Sequence, residues 1–297
     1  MGNVAIAFLL TLIAGLSTGI GGLIALFTKT SNKKFLSVSL GFSAGVMIYI
    51  SMMEILPGAI EVLSITQGQK TGMFVAVAAF FGGMLLIAII DRFVPSEVNP
   101  HEPSEATAIE SDSCALVTGS AIAPSSESNT PEHEETKTPA GLMNINRTRL
   151  LRTGLFTAFV IALHNFPEGI ATFIIALEDP IIALPIVFAI AIHNIPEGLV
   201  ISVPIYCATG SKAKAILYSF AAGLTEPLGA LIGYLILMPF LNDTVFGIVF
   251  ALVAGIMVFI SFDELLPSAR AYGQHHLAVY GLLAGMAVMA ISIWLFV

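Results

Sequence analysis

The sequence predicts an all-α integral membrane protein with eight transmembrane helices in a 3+2+3 inverted-repeat arrangement and both termini outside. Composition is the first observation behind this: of 297 residues, 56% are hydrophobic and only 11% charged, and the mean hydropathy of +0.91 lies outside the range of a water-soluble domain. The second is spacing. Windows of about 20 apolar residues, long enough to cross the hydrocarbon core, fall at 3–27, 35–56, 72–93, 150–177, 181–206, 215–240, 245–266 and 277–297. The third is internal repetition, which pairs the early spans with the late ones.

The first span has no basic stretch before it and no polar mature domain behind it, so it reads as a true span and not as a cleaved leader. The second carries AGVMIYISMMEILPGA at 44–59, and the seventh carries AGIMVFISFDELLPSA at 254–269, identical at 9 of 16 positions with a constant offset of 210. GLSTGIGGLI at 15–24 and GLTEPLGALI at 223–232 relate the first span to the sixth more weakly. Counting crossings, the members of each pair run in opposite directions. Secondary transporters use such inverted repeats to expose a midplane site alternately to either side.

Orientation follows the basic residues. With both termini outside, Lys29, Lys33, Lys34, Arg92, Lys137, Arg147, Arg149, Arg152, Lys212, Lys214 and Arg270 all fall in inside connections, and Lys70 alone lies outside. The stretch 95–146 holds nine of the 20 acidic residues and is rich in Ser, Thr and Pro. Such a composition cannot bury enough apolar surface to fold alone. It reads as a solvated cytoplasmic linker, in preference to a metal-binding tract built on His101, Glu102, Glu132, His133 and Glu134. The expected organisation is therefore 1–94 for the first three spans, 95–147 for a disordered cytoplasmic loop, 148–207 for the middle pair and 208–297 for the inverted second triplet. Cys114 and Cys207 stand far apart in the chain and suggest neither a disulfide nor a thiolate metal site.

The middle pair carries the chemistry. His164-Asn165-Phe166-Pro167-Glu168-Gly169 in the fourth span recurs 29 residues later as His193-Asn194-Ile195-Pro196-Glu197-Gly198 in the fifth. On a helix His164 and Glu168 are i and i+4, so imidazole and carboxylate share a face with Asn165 beside them, and His193, Asn194 and Glu197 repeat the pattern. Pro167 and Pro196 cannot donate to Leu163 and Ile192, which predicts a bend and a freed carbonyl beside each histidine. A single polar residue of this kind commonly bonds across a helix interface, but four ionisable groups recurring in register point to a metal site.

The sign of intramembrane charge agrees. No Lys or Arg lies in the interior of a span, whereas Glu54, Glu168, Glu197, Glu226, Asp263 and Glu264 do. At about 2.5–3.5 kcal/mol per acid at a helix centre, such groups call for hydration, protonation or a cation. His164, His193 and Glu226 sit near the middle of their spans. Glu54 is expected near the external end of the second span, lining entry, and Asp263 and Glu264 near the cytoplasmic end of the seventh, lining release. Met47, seven residues before Glu54, could add a thioether, although packing is the commoner role. Imidazole and carboxylate without thiolate suit Zn(II), Fe(II), Mn(II), Co(II) and Cd(II) better than Cu(I) or alkali ions.

At these residues the chain resembles the ZIP (Zrt/Irt-like) family of divalent-metal transporters, and within it the bacterial zinc-uptake branch. The resemblance rests on HNFPEG, HNIPEG, EPLGA in the sixth span and DELLP in the seventh, and extends over nearly the whole chain. It implies metal uptake into the cytoplasm across the cell membrane through a two-metal centre. His164, Glu168, His193 and Glu197 would bind the transported ion, with Asn165, Asn194 and Glu226 completing or holding a second. It also implies an elevator-like movement of spans one, four, five and six against the others. Divalent ions, zinc foremost, would be substrate, with no organic cofactor and no enzymatic activity. The partners expected are those ions and the lipid bilayer, without nucleic acid and with homodimerisation left open. Export is the alternative within transport. An intramembrane metalloprotease would call for His-Glu-x-x-His, which neither motif supplies.

Overall fold

The computed structural model describes residues 2–27, 33–92, 139–240, 242–272 and 275–296. The histidines and acids of the expected linker, His101 and His133 among them, lie outside these residues. Among the described residues eight helices are long and apolar enough to cross a membrane: Asn3–Ala25, Lys34–Gln67, Gln69–Ile90, Leu150–Glu178, Ala183–Thr209, Lys212–Ile236, Asp243–Arg270 and His276–Leu295. Among the described residues there is no strand. Connections are short where they are described. Gly68 alone separates the second and third spans, and Gly210 with Ser211 the fifth and sixth; both glycines adopt positive φ, 84° and 66°, which a residue without Cβ takes up freely. The fourth span continues a helix that begins at Pro139, so the last residues of the expected linker are helical.

The related second and seventh spans share an irregularity. Each is an α-helix that widens into one π-helical turn, Ser51–Ile55 and Ser261–Leu265, before resuming as Leu56–Gln67 and Leu266–Tyr272. Pro57 and Pro267 explain it: neither can donate to the carbonyl four residues back. The ladder resumes with the N–H of Leu56 on Ser51 O and that of Leu266 on Ser261 O, each five residues back. Because both helices run on, Glu54 is well inside its span and not near its end, and Asp263 and Glu264 are likewise followed by further helix.

The sixth span is interrupted as well. It consists of Lys212–Gly223 and Thr225–Leu237 with a turn at Leu224, where Pro227 leaves Gly223 without its helical donor. The fourth and fifth spans, by contrast, continue through Pro167 and through Pro185, Pro196 and Pro204 without a break. Cys207 is disulfide-bonded, which corrects the expectation of two unpaired cysteines; its partner lies outside the described residues.

Glycine determines how the helices meet. Without a water-driven hydrophobic effect, membrane helices gain stability by close backbone approach at small residues. A Cβ at Gly198 would strike the backbone of Thr18, one at Gly21 that of Ile195, one at Gly15 that of Gly223, one at Gly169 that of Glu226 and one at Gly229 that of Phe166. These contacts bind the first, fourth, fifth and sixth spans together. A mutual aromatic cluster of Phe8, Phe173 and Tyr234, with centroids 4.6–6.0 Å apart, adds to the same group. In the second group, Gly41 and Gly45 meet the backbones of Ala278 and Leu282, joining the second span to the eighth, and Gly83 and Gly255 meet Leu252 and Phe80, joining the third to the seventh. Among the described residues no such glycine contact crosses between the two groups.

Candidate metal centre

The fourth and fifth spans are joined at Asp179 alone and pack as an antiparallel hairpin. That geometry reverses the pairing suggested by the motif. Residues i and i+4 on one helix lie one above the other, so each histidine finds the glutamate of the opposite helix at its own level. His164 Nε2 lies 3.2 Å from Glu197 Oε1, and His193 Nε2 lies 3.1 Å from Glu168 Oε1. The two copies of one motif are thus crossed into two His–Glu pairs.

The other polar residues tie this hairpin to its neighbours. Asn194 Nδ2 donates to Ala14 O on the first span, 3.1 Å away, and to Glu226 Oε1 in the first turn of Thr225–Leu237. A carboxylate in a first helical turn also meets the positive end of the helix dipole. Asn165 Nδ2 donates to Ala222 O at 3.5 Å, just before the break in the sixth span. Thr172 Oγ1 donates to Glu168 O at 2.8 Å. None of His164, Asn165, Glu168, His193, Asn194, Glu197 and Glu226 is more than 3% exposed.

What remains unsatisfied is informative. Both imidazole Nδ1 atoms, the Oε2 atoms of Glu168, Glu197 and Glu226, and the Oδ1 atoms of Asn165 and Asn194 are buried without a hydrogen-bond partner. Apart from the imidazole nitrogens, which serve either way by tautomer, these are acceptors. Buried polar atoms are ordinarily paired, and three buried carboxylates without a neighbouring Lys or Arg are costly. Among the described residues no three His, Cys, Asp or Glu side chains already stand as a formed metal cage. The paired donors are nevertheless well separated for one: two ligands each about 2.0–2.1 Å from a tetrahedral Zn(II) stand about 3.3 Å apart, close to the His–Glu distances here.

The structure therefore brings together all seven residues expected from the motifs and the sixth span, and the outer four fare differently. Glu264 is buried, on the π-helical turn that packs against the second span. Glu54 and Asp263 are half-buried. Met47 is fully buried among the residues of the main hydrophobic core. Two residues escape sequence reasoning: Thr18, whose buried hydroxyl lies where the first span meets Gly223, and Ser43, whose Oγ donates to His193 O at 3.1 Å. Neither small hydroxyl breaks the apolar pattern of its span.

A family model described as "ZIP Zinc transporter" matches residues 3–293. The protein named zinc transporter ZupT in Streptococcus mutans is 56% identical over 291 residues, covering 98% of this chain and 97% of that protein. Its namesake in Clostridium perfringens is 54% identical over 297 residues, 100% and 98% of the two chains. That of Corynebacterium glutamicum is 53% identical over 291 residues, 98% and 99% of the two.

Proposed function

The chain belongs to the ZIP zinc transporter family, and from that premise we propose that it carries Zn(II) into the cytoplasm through the His164, Glu168, His193 and Glu197 cluster. The observation that carries the reading is the pair of crossed His–Glu contacts at the middle of two adjoining spans, surrounded by unsatisfied acceptors. Imidazole nitrogen and carboxylate oxygen are zinc donors, and Fe(II), Mn(II), Co(II) and Cd(II) share that chemistry. Asn165, Asn194 and Glu226 border the same space and would hold a second ion or complete the first ion's shell.

Transport needs the site to reach both sides of the membrane in turn. The repeated sequences and their matching π-helical turns support a 3+2+3 inverted-repeat architecture with both termini outside, and with it the division into 1–94, 148–207 and 208–297. The glycine contacts support two bodies: spans one, four, five and six, which hold the seven candidate ligands, and spans two, three, seven and eight. The first body would slide as a unit against the second. Glu54 on one side and Asp263 with Glu264 on the other would line the paths, and Glu264 would receive the ion from His164.

The test is zinc influx into proteoliposomes enclosing a zinc indicator, with the protein inserted external face outward. The native chain should accumulate zinc, and His164→Ala and Glu168→Ala should each reduce influx at least about tenfold at matched protein content, the scale seen when metal sites lose a supporting group. Unchanged influx in both variants would move the pathway away from the hairpin. Efflux without influx would reverse the direction.

A further inference from the structure

We propose that Ser43 is a positioning residue for transport: its hydroxyl latches the sliding body to the other body at the main chain of a candidate zinc ligand. The inference rests on the two-body reading above. Ser43 lies on the second span, fully buried, and its Oγ donates to His193 O on the fifth span at 3.1 Å. The bond therefore crosses the boundary that the glycine contacts leave open. It is local to the site, because the acceptor belongs to the residue whose ring faces Glu168. It also lies next to a carbonyl without a helical donor, since Pro196 cannot donate to Ile192 O.

The surroundings suit a contact that must break and re-form. A small cavity lined by Val46 of the second span, Ala189 and Ile192 of the fifth, and Met289 and Ser292 of the eighth lies at the same boundary. Close packing is thus incomplete beside the bond, whereas within each body glycine allows backbone to touch backbone. A hydroxyl group here confers directionality that apolar packing lacks. If the sliding body moves, Ser43 and His193 O part, and one side of the equilibrium loses a hydrogen bond.

The latch is one-sided. At the offset of 210 that relates the second and seventh spans, the counterpart of Ser43 is Val253, also buried but without a donor. The pseudo-equivalent arrangement on the other side of the cycle has no matching bond to offer. The inverted halves are therefore energetically unequal at this point, and Ser43 biases the resting state toward the one described here.

The experiment is pulsed EPR on a Cys114→Ser, Cys207→Ser background with spin labels at Phe81 and Phe159, exposed positions on the third and fourth spans and so on different bodies. The chain with Ser43 intact should show two distance populations whose ratio responds to zinc. Ser43→Ala should shift that ratio away from the latched state about 2- to 10-fold, the range spanned by one net hydrogen bond, with its melting temperature close to that of the parent. Ser43→Thr, which keeps the hydroxyl, should restore the parent ratio. Two populations with an unchanged ratio in Ser43→Ala would overturn the latch and leave the two-body reading standing. A single population in the parent, with and without zinc, would overturn both.

Discussion

At the scale of single residues, the centre is a problem of charge and its solution. Glu168, Glu197 and Glu226 are buried without Lys or Arg near them, so a cation arriving there would supply the charge that the membrane withholds. Asn194 matters because its amide nitrogen is committed to Ala14 O and Glu226, leaving its oxygen buried without a partner. Asn194→Asp removes the donor that Glu226 relies on and sets two carboxylates side by side. The zinc-free variant should therefore melt below the native protein, and zinc should raise its melting temperature more than it raises the native one. Ligand at a hundred times its Kd stabilises by about 2.7 kcal/mol, enough for a thermal shift assay in detergent to resolve the difference. The candidate ligands could be picked out in the sequence, because two HNxPEG motifs announce themselves. The crossed pairing was not, since i and i+4 spacing specifies a shared face within one helix and says nothing of the level at which an antiparallel neighbour presents its own residues.

At the scale of elements, the prolines and glycines of the motifs have separate tasks. Pro57, Pro227 and Pro267 coincide with a π-helical turn, a broken helix and a second π-helical turn, while Pro167 and Pro196 are absorbed within continuous helices. Sequence shows where a proline stands, but neighbouring helices decide whether the freed carbonyl is accommodated by a bend, a wider turn or a break. The motif glycines are packing residues. Gly169→Ala would drive a Cβ into the backbone of Glu226, and overpacking of this kind costs about 1–3 kcal/mol. Gly82 meets nothing within 4 Å, so Gly82→Ala should be neutral or slightly stabilising, since alanine is the better helix former by about 1 kcal/mol. Thermal unfolding of the two variants in the same detergent checks the contrast. Equal losses at both positions would show that the close approach at Gly169 carries no special weight.

At the scale of the whole molecule, the question is whether the two glycine-bound groups are two moving bodies. Val46 and Ala189 line one small cavity from opposite sides of the boundary between them. A Val46→Cys, Ala189→Cys pair in a chain lacking the native cysteines should cross-link on oxidation, arrest zinc influx, and regain it on reduction. Continued influx through the cross-linked protein would mean that the ion moves without sliding of one group past the other. Eight spans, their apolar boundaries and the seven residues of the candidate centre could be read from sequence alone, because bilayer thickness fixes the length of a crossing and a buried charge stands out against an apolar run. Several features became visible only in the assembled structure: the division into two groups, the burial of Glu264, the enclosure of Met47 in the core and the hydrogen bond from Ser43. Each depends on which distant helix stands opposite, and in a chain whose spans are almost uniformly apolar, hydropathy favours no partner over another; close packing at small residues makes that choice.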